Sequence, residues 1–278
     1  MTKQSDVRLS VVVPVHNESA GLERFHQSLL DVLPGASKDS YEIIYVEDGS
    51  TDDTAEIIRS WAAKDDSIKL VKLSRNFGKE IATTAGIHAA RGQAIITIDA
   101  DGQHPPELIS QFVSKWRAGS KVVVGIRTSN HKEGLVKRYG SKLFYGLFNR
   151  LTGMKLVPSS TDFRLIDRAV QTEFVRMTER NRITRGLIDW LGYKRDFVEF
   201  RANPRLAGDA GYSFKKLFKL AIDSMVSLSI SPLYITAYIG AIILPVSTLL
   251  GLFMVVDALA RDPLHLHATG SAYVMVLI

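Results

Sequence analysis

Asp99, Ala100, Asp101, Gly102 and Gln103 follow the apolar run AIITI (94–98). In an extended segment, residues two apart face the same way, so Asp99, Asp101 and Gln103 can converge on one hard cation. Hard cations take oxygen ligands of this kind. Gly102 would let a ligand approach the backbone closely. Taken alone, such residues could equally form a polar loop with helix-capping carboxylates. Their place at the end of a buried strand favours the ligand reading. A second cluster, EDGSTD (47–52), ends the run YEIIYV (41–46). One of its carboxylates could accept a hydrogen bond from a uracil N–H or from ribose hydroxyls. A third, PVHNE (14–18), would line the same edge. Asn, Asp, Ser and Gly also dominate turns, and His16 by itself reads as structural. The run Phe77-Gly78-Lys79 lacks the glycine-rich stretch and following Ser/Thr of a phosphate-binding P-loop.

These side chains need a scaffold that brings strand ends together. Strands are expected at Leu9–Val13, Tyr41–Val46, Ile68–Leu73, Ala94–Ile98 and Lys121–Gly125. They are almost wholly apolar, as strands covered on both faces must be. Helices are expected at about 18–33, 51–64, 79–91 and 105–118, with Ser50 or Thr51 and the Pro105–Pro106 pair as start signals. The alternation predicts an α/β fold with a doubly wound, mostly parallel sheet. Ligands of such sheets bind beyond the carboxyl ends of the strands. From about residue 126 the pattern loosens into a basic stretch (126–142), an aromatic amphipathic one (143–151) and a Gly-rich, charged loop (204–212).

Charge is unevenly spread along the 278 residues: residues 1–60 hold 5 basic and 11 acidic side chains, residues 108–161 hold 10 basic and 1 acidic. The basic region would attract phosphorylated substrates, anionic lipid headgroups or nucleic acid. No helix-turn-helix or RNA-binding signature supports the last. The absence of cysteine excludes disulfides and thiolate metal sites and fits a reducing compartment. The run Leu9–Val15 is too short for a signal peptide. SFKKLFKLAIDSMVSLS (213–229) reads as an amphipathic interfacial helix with Lys215, Lys216 and Lys219 on its polar side. No charge occurs from Ser224 to Val256. The segment 232–256 is long enough to cross a bilayer, which takes roughly 20 residues. Residues 268–278 read as the start of a second membrane helix, and the chain is expected to be truncated there. The lysines before the span put residues 1–212 in the cytoplasm under the positive-inside rule.

From Leu9 to about Pro232 the sequence resembles the family-2 glycosyltransferases of GT-A fold. The matching pieces are VVVPVHNE (11–18), EDGSTDDT (47–54), SRNFGKE (74–80), DADGQHPP (99–106), GIR (125–127), STDFRL (160–165) and the segment 203–213. Their order resembles the polyprenyl-phosphate branch, which includes dolichol-phosphate mannose synthase. His16 replaces a commoner aromatic and Glu47 a commoner Asp. The resemblance implies that Pro14, Glu18, Asp48, Lys79 and Arg205 bind the nucleotide-sugar donor. Asp99, Asp101 and Gln103 would hold Mg2+ or Mn2+ on its diphosphate. Arg127 and Arg138 would bind the acceptor phosphate, which suits planar guanidinium groups. Asp162, in STDFRL, falls where the family places a candidate base near the reacting centre, beside Asp101, and it could instead orient the acceptor or a sugar hydroxyl. A lipid monophosphate has a second pKa near 6, so it needs positioning more than proton removal.

The implied reaction is an inverting transfer from UDP-glucose or another UDP-hexose to undecaprenyl phosphate. It would take place at the cytoplasmic face of the inner membrane, on a multi-pass protein in contact with the bilayer, and homo-oligomerisation is left open. A processive polysaccharide synthase is one alternative, but its Q-x-x-R-W motif is absent; QFVSKW (111–116) lacks the spacing and the Arg. A non-catalytic nucleotide-sugar sensor is another, against which stand the intact Asp99, Asp101 and Asp162.

Overall fold

A computed structural model of the chain describes residues 8–37, 40–128, 157, 159–179, 183–203 and 231–261. The chain divides into two compact units, Met1–Lys219 and Leu220–Ile278.

The first unit is built on a seven-stranded sheet, in the order β3-β2-β1-β4-β6-β5-β7. Its strands are β1 (Leu9–Val15), β2 (Tyr41–Glu47), β3 (Ile68–Lys72), β4 (Ala94–Thr97), β5 (Val122–Arg127), β6 (Ser160–Asp167) and β7 (Arg195–Phe200). The helices are α1 (Ser19–Ala36), α2 (Thr54–Ala62), α3 (Lys79–Ala89), α4 (Ile109–Arg117, entered through a 3-10 turn at Pro106–Leu108), α5 (Arg168–Arg176) and α6 (Thr184–Trp190). The five expected strands and four expected helices all form, with shifted ends. Helix α2 starts at Thr54 rather than near Thr51, because the Thr51 N–H is held by Asn17 Oδ1 at 2.8 Å.

The apolar runs are explained by two cores. Val11, Val13 and Val15 of β1 pack on one face with Phe25 and Leu29 of α1 and Phe112 of α4. Val12 points to the other face, with Ala82 and Ile87 of α3 and Phe174 of α5. The same alternation splits Ile43 and Tyr45 from Ile44 and Val46 in β2. Gly86 lets α3 lie close to β1, since a Cβ there would stand 2.2 Å from Val12.

The sequence reading missed β6 and β7. Strand β6 is antiparallel to both of its neighbours, β4 and β5, whereas the other pairs are parallel. Its amino-terminal end therefore lies at the edge where the parallel strands end, where a ligand site is expected.

In the second unit, helix α7 (Ser231–Arg261) contains a 22-residue stretch, Thr236–Asp257, with mean hydropathy 2.4 and no part buried. At about 1.5 Å per residue it spans about 33 Å, comparable with a bilayer's hydrocarbon core. Leu244 and Phe253 are 71% and 67% exposed, unlike residues of a soluble core helix. It is the one helix among the described residues with this length and apolarity. The expected interfacial helix (213–229), the aromatic stretch (143–151) and the second membrane segment (268–278) lie outside the described residues.

Candidate active site

The loops after β1 and β2 are laced together by their own turn residues. Asn17, at φ 55°, donates its N–H to the Ser50 hydroxyl oxygen at 3.1 Å. Asp52 accepts from the N–H groups of Ser19 and Thr54, each at 3.1 Å. Burial would raise its carboxyl, but these hydrogen bonds outweigh it and hold the group down at about 2. Gly49, at φ 67°, brings the second loop against the segment after β3, where a Cβ would meet Asn76 N at 2.4 Å.

Asp48 secures that third segment. Its two carboxylate oxygens accept from the N–H groups of Phe77 (2.7 Å) and Gly78 (2.8 Å), and the residue is buried. His16, read as structural from its isolated occurrence, is exposed and lines the pocket: Nδ1 faces the Asp48 carbonyl at 2.9 Å and Nε2 faces Asn76 Nδ2 at 3.0 Å. Glu47 is also buried, accepts from the Ser50 N–H, and lies outside the pocket lining.

Helix α3 starts just after this anchor, and its first residue reaches across the site. Lys79 Nζ donates to Asp99 Oδ2 at 2.7 Å and to Asp162 Oδ2 at 2.8 Å. Asp99 follows β4 and Asp162 lies near the start of β6. The last paired rung, Thr97 with Arg164, is two residues short of both, so the antiparallel register carries the two carboxylates towards each other. Burial alone would lower the Lys79 ammonium and raise the Asp162 carboxyl. The pairing reverses both: Lys79 is raised above its usual range, and Asp162 is lowered to about 2 with help from Arg185 and Arg164.

Asp101 Oδ1 accepts from the Gln103 N–H at 3.0 Å across Gly102, which has φ 76°. His104 tucks beneath, stacked on Phe163 at 5.3 Å; burial lowers its pKa, so the imidazole is neutral. Pro14, Glu18, Asp48, Lys79, Asp99, Asp101 and Gln103 line one pocket of about 420 Å³. Asp162 lines a much smaller cavity that meets the pocket at Lys79. Arg127 ends β5 as an exposed residue outside the pocket lining. Arg138 and Arg205 lie outside the described residues.

Three polar residues lining these two cavities were missed. Asn76 lines the pocket. Arg164 is fully buried; it donates to the carbonyls of Arg185 (3.3 Å) and Thr161 (3.2 Å) and lies 3.6 Å from Asp189. Arg185 adds a guanidinium beside Asp162. A strand reading of STDFRL would have placed Asp162 and Arg164 on one face, since they are two apart.

Residues 10–173 match glycosyl transferase family 2. The chain belongs to this family. An uncharacterized glycosyltransferase of Synechocystis is 41% identical over 272 residues, 98% of this chain and 84% of that protein. The prophage bactoprenol glucosyl transferase homolog of Escherichia coli is 36% identical over 253 residues, 91% of this chain and 82% of that protein. Glucosyl-3-phosphoglycerate synthase from Mycobacterium tuberculosis, solved with Mn2+, UDP and glucosyl-3-phosphoglycerate, superposes with TM-score 0.53 at 18% identity over 80% of each chain. That likeness supports the GT-A-like sheet. The family-2 chain is a glycosyltransferase, and it resembles the branch that uses polyprenyl phosphates.

A divalent cation is implied by the fold family, and the donor set fits one. Asp99, Asp101 and Gln103 offer oxygen ligands of the hard type and line the same pocket. No group of three acidic, His or Cys side chains surrounds a single point among the described residues.

Proposed function

We propose that the chain transfers a hexose, with glucose the first choice, from a UDP-sugar to a polyprenyl phosphate at the cytoplasmic face of a membrane, inverting the anomeric carbon. The observation that carries this reading is the meeting of Asp99 and Asp162 on Lys79 at the wall of a pocket open to a donor. The bactoprenol glucosyl transferase relatives support the lipid acceptor and glucose. Helix α7 supports a membrane anchor, and the second span and cytoplasmic orientation rest on the sequence pattern.

Glu18, Asp48 and the wall around Pro14 would receive the nucleoside. Asp48 works through the segment it anchors, setting Asn76 and Gly78 against the donor. Asp99, Asp101 and Gln103 would hold the Mg2+ or Mn2+ ion, which when bound neutralises charge on the departing diphosphate. Arg205 would reach the diphosphate, and Arg127 and Arg138 the acceptor phosphate. Asp162 orients the incoming phosphate or a sugar hydroxyl. Its carboxylate is tied to Lys79, and at about 2 it is a poor match for a proton on a phosphate with pKa near 6.

The test incubates membranes holding the protein with a panel of radiolabelled nucleotide-sugars and undecaprenyl phosphate, then extracts the lipid. Label from UDP-glucose is expected in the lipid phase and is expected to vanish with excess EDTA. Label only in a polymer, or none from any donor, would reject the reading.

A further inference from the structure

Asp99 does not await a metal with its charge exposed, because Lys79 already compensates it. The lysine is the first residue of α3, and the backbone just before it is fixed by the Gly78 N–H bond to Asp48. Its ammonium is thus delivered to one place, 2.7 Å from Asp99 and 2.8 Å from Asp162. Among the described residues, His104 Nδ1 also lies near Asp99, 3.7 Å from the carboxylate. That nitrogen faces the Asp99 N–H at 3.4 Å and so carries no proton of its own. Lys79 and a divalent cation would therefore require the same carboxylate, and two cations side by side repel.

We propose that Lys79 is a resident counter-ion which a divalent cation must displace from Asp99. This rests on the reading of Asp99 and Asp101 as metal ligands. Only one of the two ion pairs has to break, since Asp162 keeps the ammonium in the site. In the donor-free protein the exchange opposes metal binding: one favourable contact is lost and a positive charge remains nearby. A donor diphosphate adds negative charge that can compensate both cations together. The lysine therefore makes the metal site weak alone and strong with donor, so metal and nucleotide-sugar bind as a unit.

The experiment titrates Mn2+ into the full chain in detergent without nucleotide and follows free Mn2+ by electron paramagnetic resonance. Lys79→Met and Lys79→Gln keep the length of the side chain and remove the competing charge. Lys79 heads a helix with 44% of its side chain accessible, so both variants are expected to fold. Each should bind Mn2+ at least about fivefold tighter than the unaltered chain, the size of one partly exposed ion pair. Asp99→Asn should bind it more weakly. Unchanged or weaker binding in both lysine variants, with loss in Asp99→Asn, would overturn the counter-ion and leave the metal site standing. Unchanged binding in Asp99→Asn would overturn the metal site and the counter-ion with it.

Discussion

Asp99 and Asp162 lie 63 positions apart in the sequence, yet the ammonium of Lys79 binds both, at 2.7 and 2.8 Å. The antiparallel pairing of β6 with β4 produces this meeting. A parallel β6 would have sent its amino-terminal end to the opposite edge of the sheet. The carboxylate pair thus reports directly on topology, and it is the natural place to perturb the chemistry.

Changing Asp162→Asn should remove the negative charge that orients Lys79 while keeping the shape. Turnover should fall roughly a hundredfold or more, as for other positioned electrostatic groups. Affinity for UDP should change little. Steady-state kinetics with separate donor and acceptor titrations would reveal the split. A rise in donor KM with unchanged kcat would contradict the proposed role.

Asp48 predicts a different phenotype. Asp48→Ala removes two charge-assisted hydrogen bonds to the backbone of Phe77 and Gly78. Such bonds are worth about 1.5–3 kcal/mol each before relaxation. Donor binding should weaken at least about tenfold because the segment carrying Asn76 and Lys79 loses its anchor. Thermal stability should also drop. Calorimetric titration with UDP, set beside a melting curve, checks both, and donor affinity equal to that of the unaltered chain would refute the anchoring role.

His26 offers a test of folding that leaves the active site alone. It stacks on Trp61 at 4.0 Å and faces the Tyr45 hydroxyl at 2.9 Å. Burial lowers its pKa below the ordinary 6.5, although Asp65 opposes the shift. The folded state therefore binds fewer protons at this site than the unfolded one. Its contribution is complete above about pH 6.5 and is lost as pH falls towards the lowered folded value. Denaturant midpoints in detergent should decline from pH 7 to 5, and less steeply in His26→Phe, which cannot titrate. Equal slopes for both proteins would exclude His26 as a source of the decline.

The anchor can be separated from the catalyst. A chain ending at residue 229 lacks α7 but keeps every residue proposed to contact the donor. It should bind UDP with unchanged affinity and transfer sugar poorly to undecaprenyl phosphate in vesicles. Equal transfer by the shortened and full chains would show that α7 is dispensable. Protection of residues 1–220 from protease on the cytoplasmic side would reverse the proposed orientation.

Local chemistry made much of this protein legible. The runs at β1, β2 and β4 are apolar on both faces because helices cover both sides of the sheet, and that alone marks them as central strands. Polar residues after such strands must lie at the ligand edge, so Asp48, Asp99 and Asp101 could be chosen without coordinates. Strand β6 hid because Asp162, Arg164 and Asp167 interrupt its apolar residues. The buried charge of Arg164 is compensated by Asp189 and the Arg185 carbonyl, both more than twenty positions away, together with the nearby Thr161 carbonyl. Nothing local in SRNFGKE shows that Lys79 joins two acids, or that Asp48 binds backbone before ligand. Those facts depend on strand order and register, which are fixed by pairing between segments far apart in the chain. The sequence determined which residues could do the chemistry, and the tertiary structure decided which of them meet.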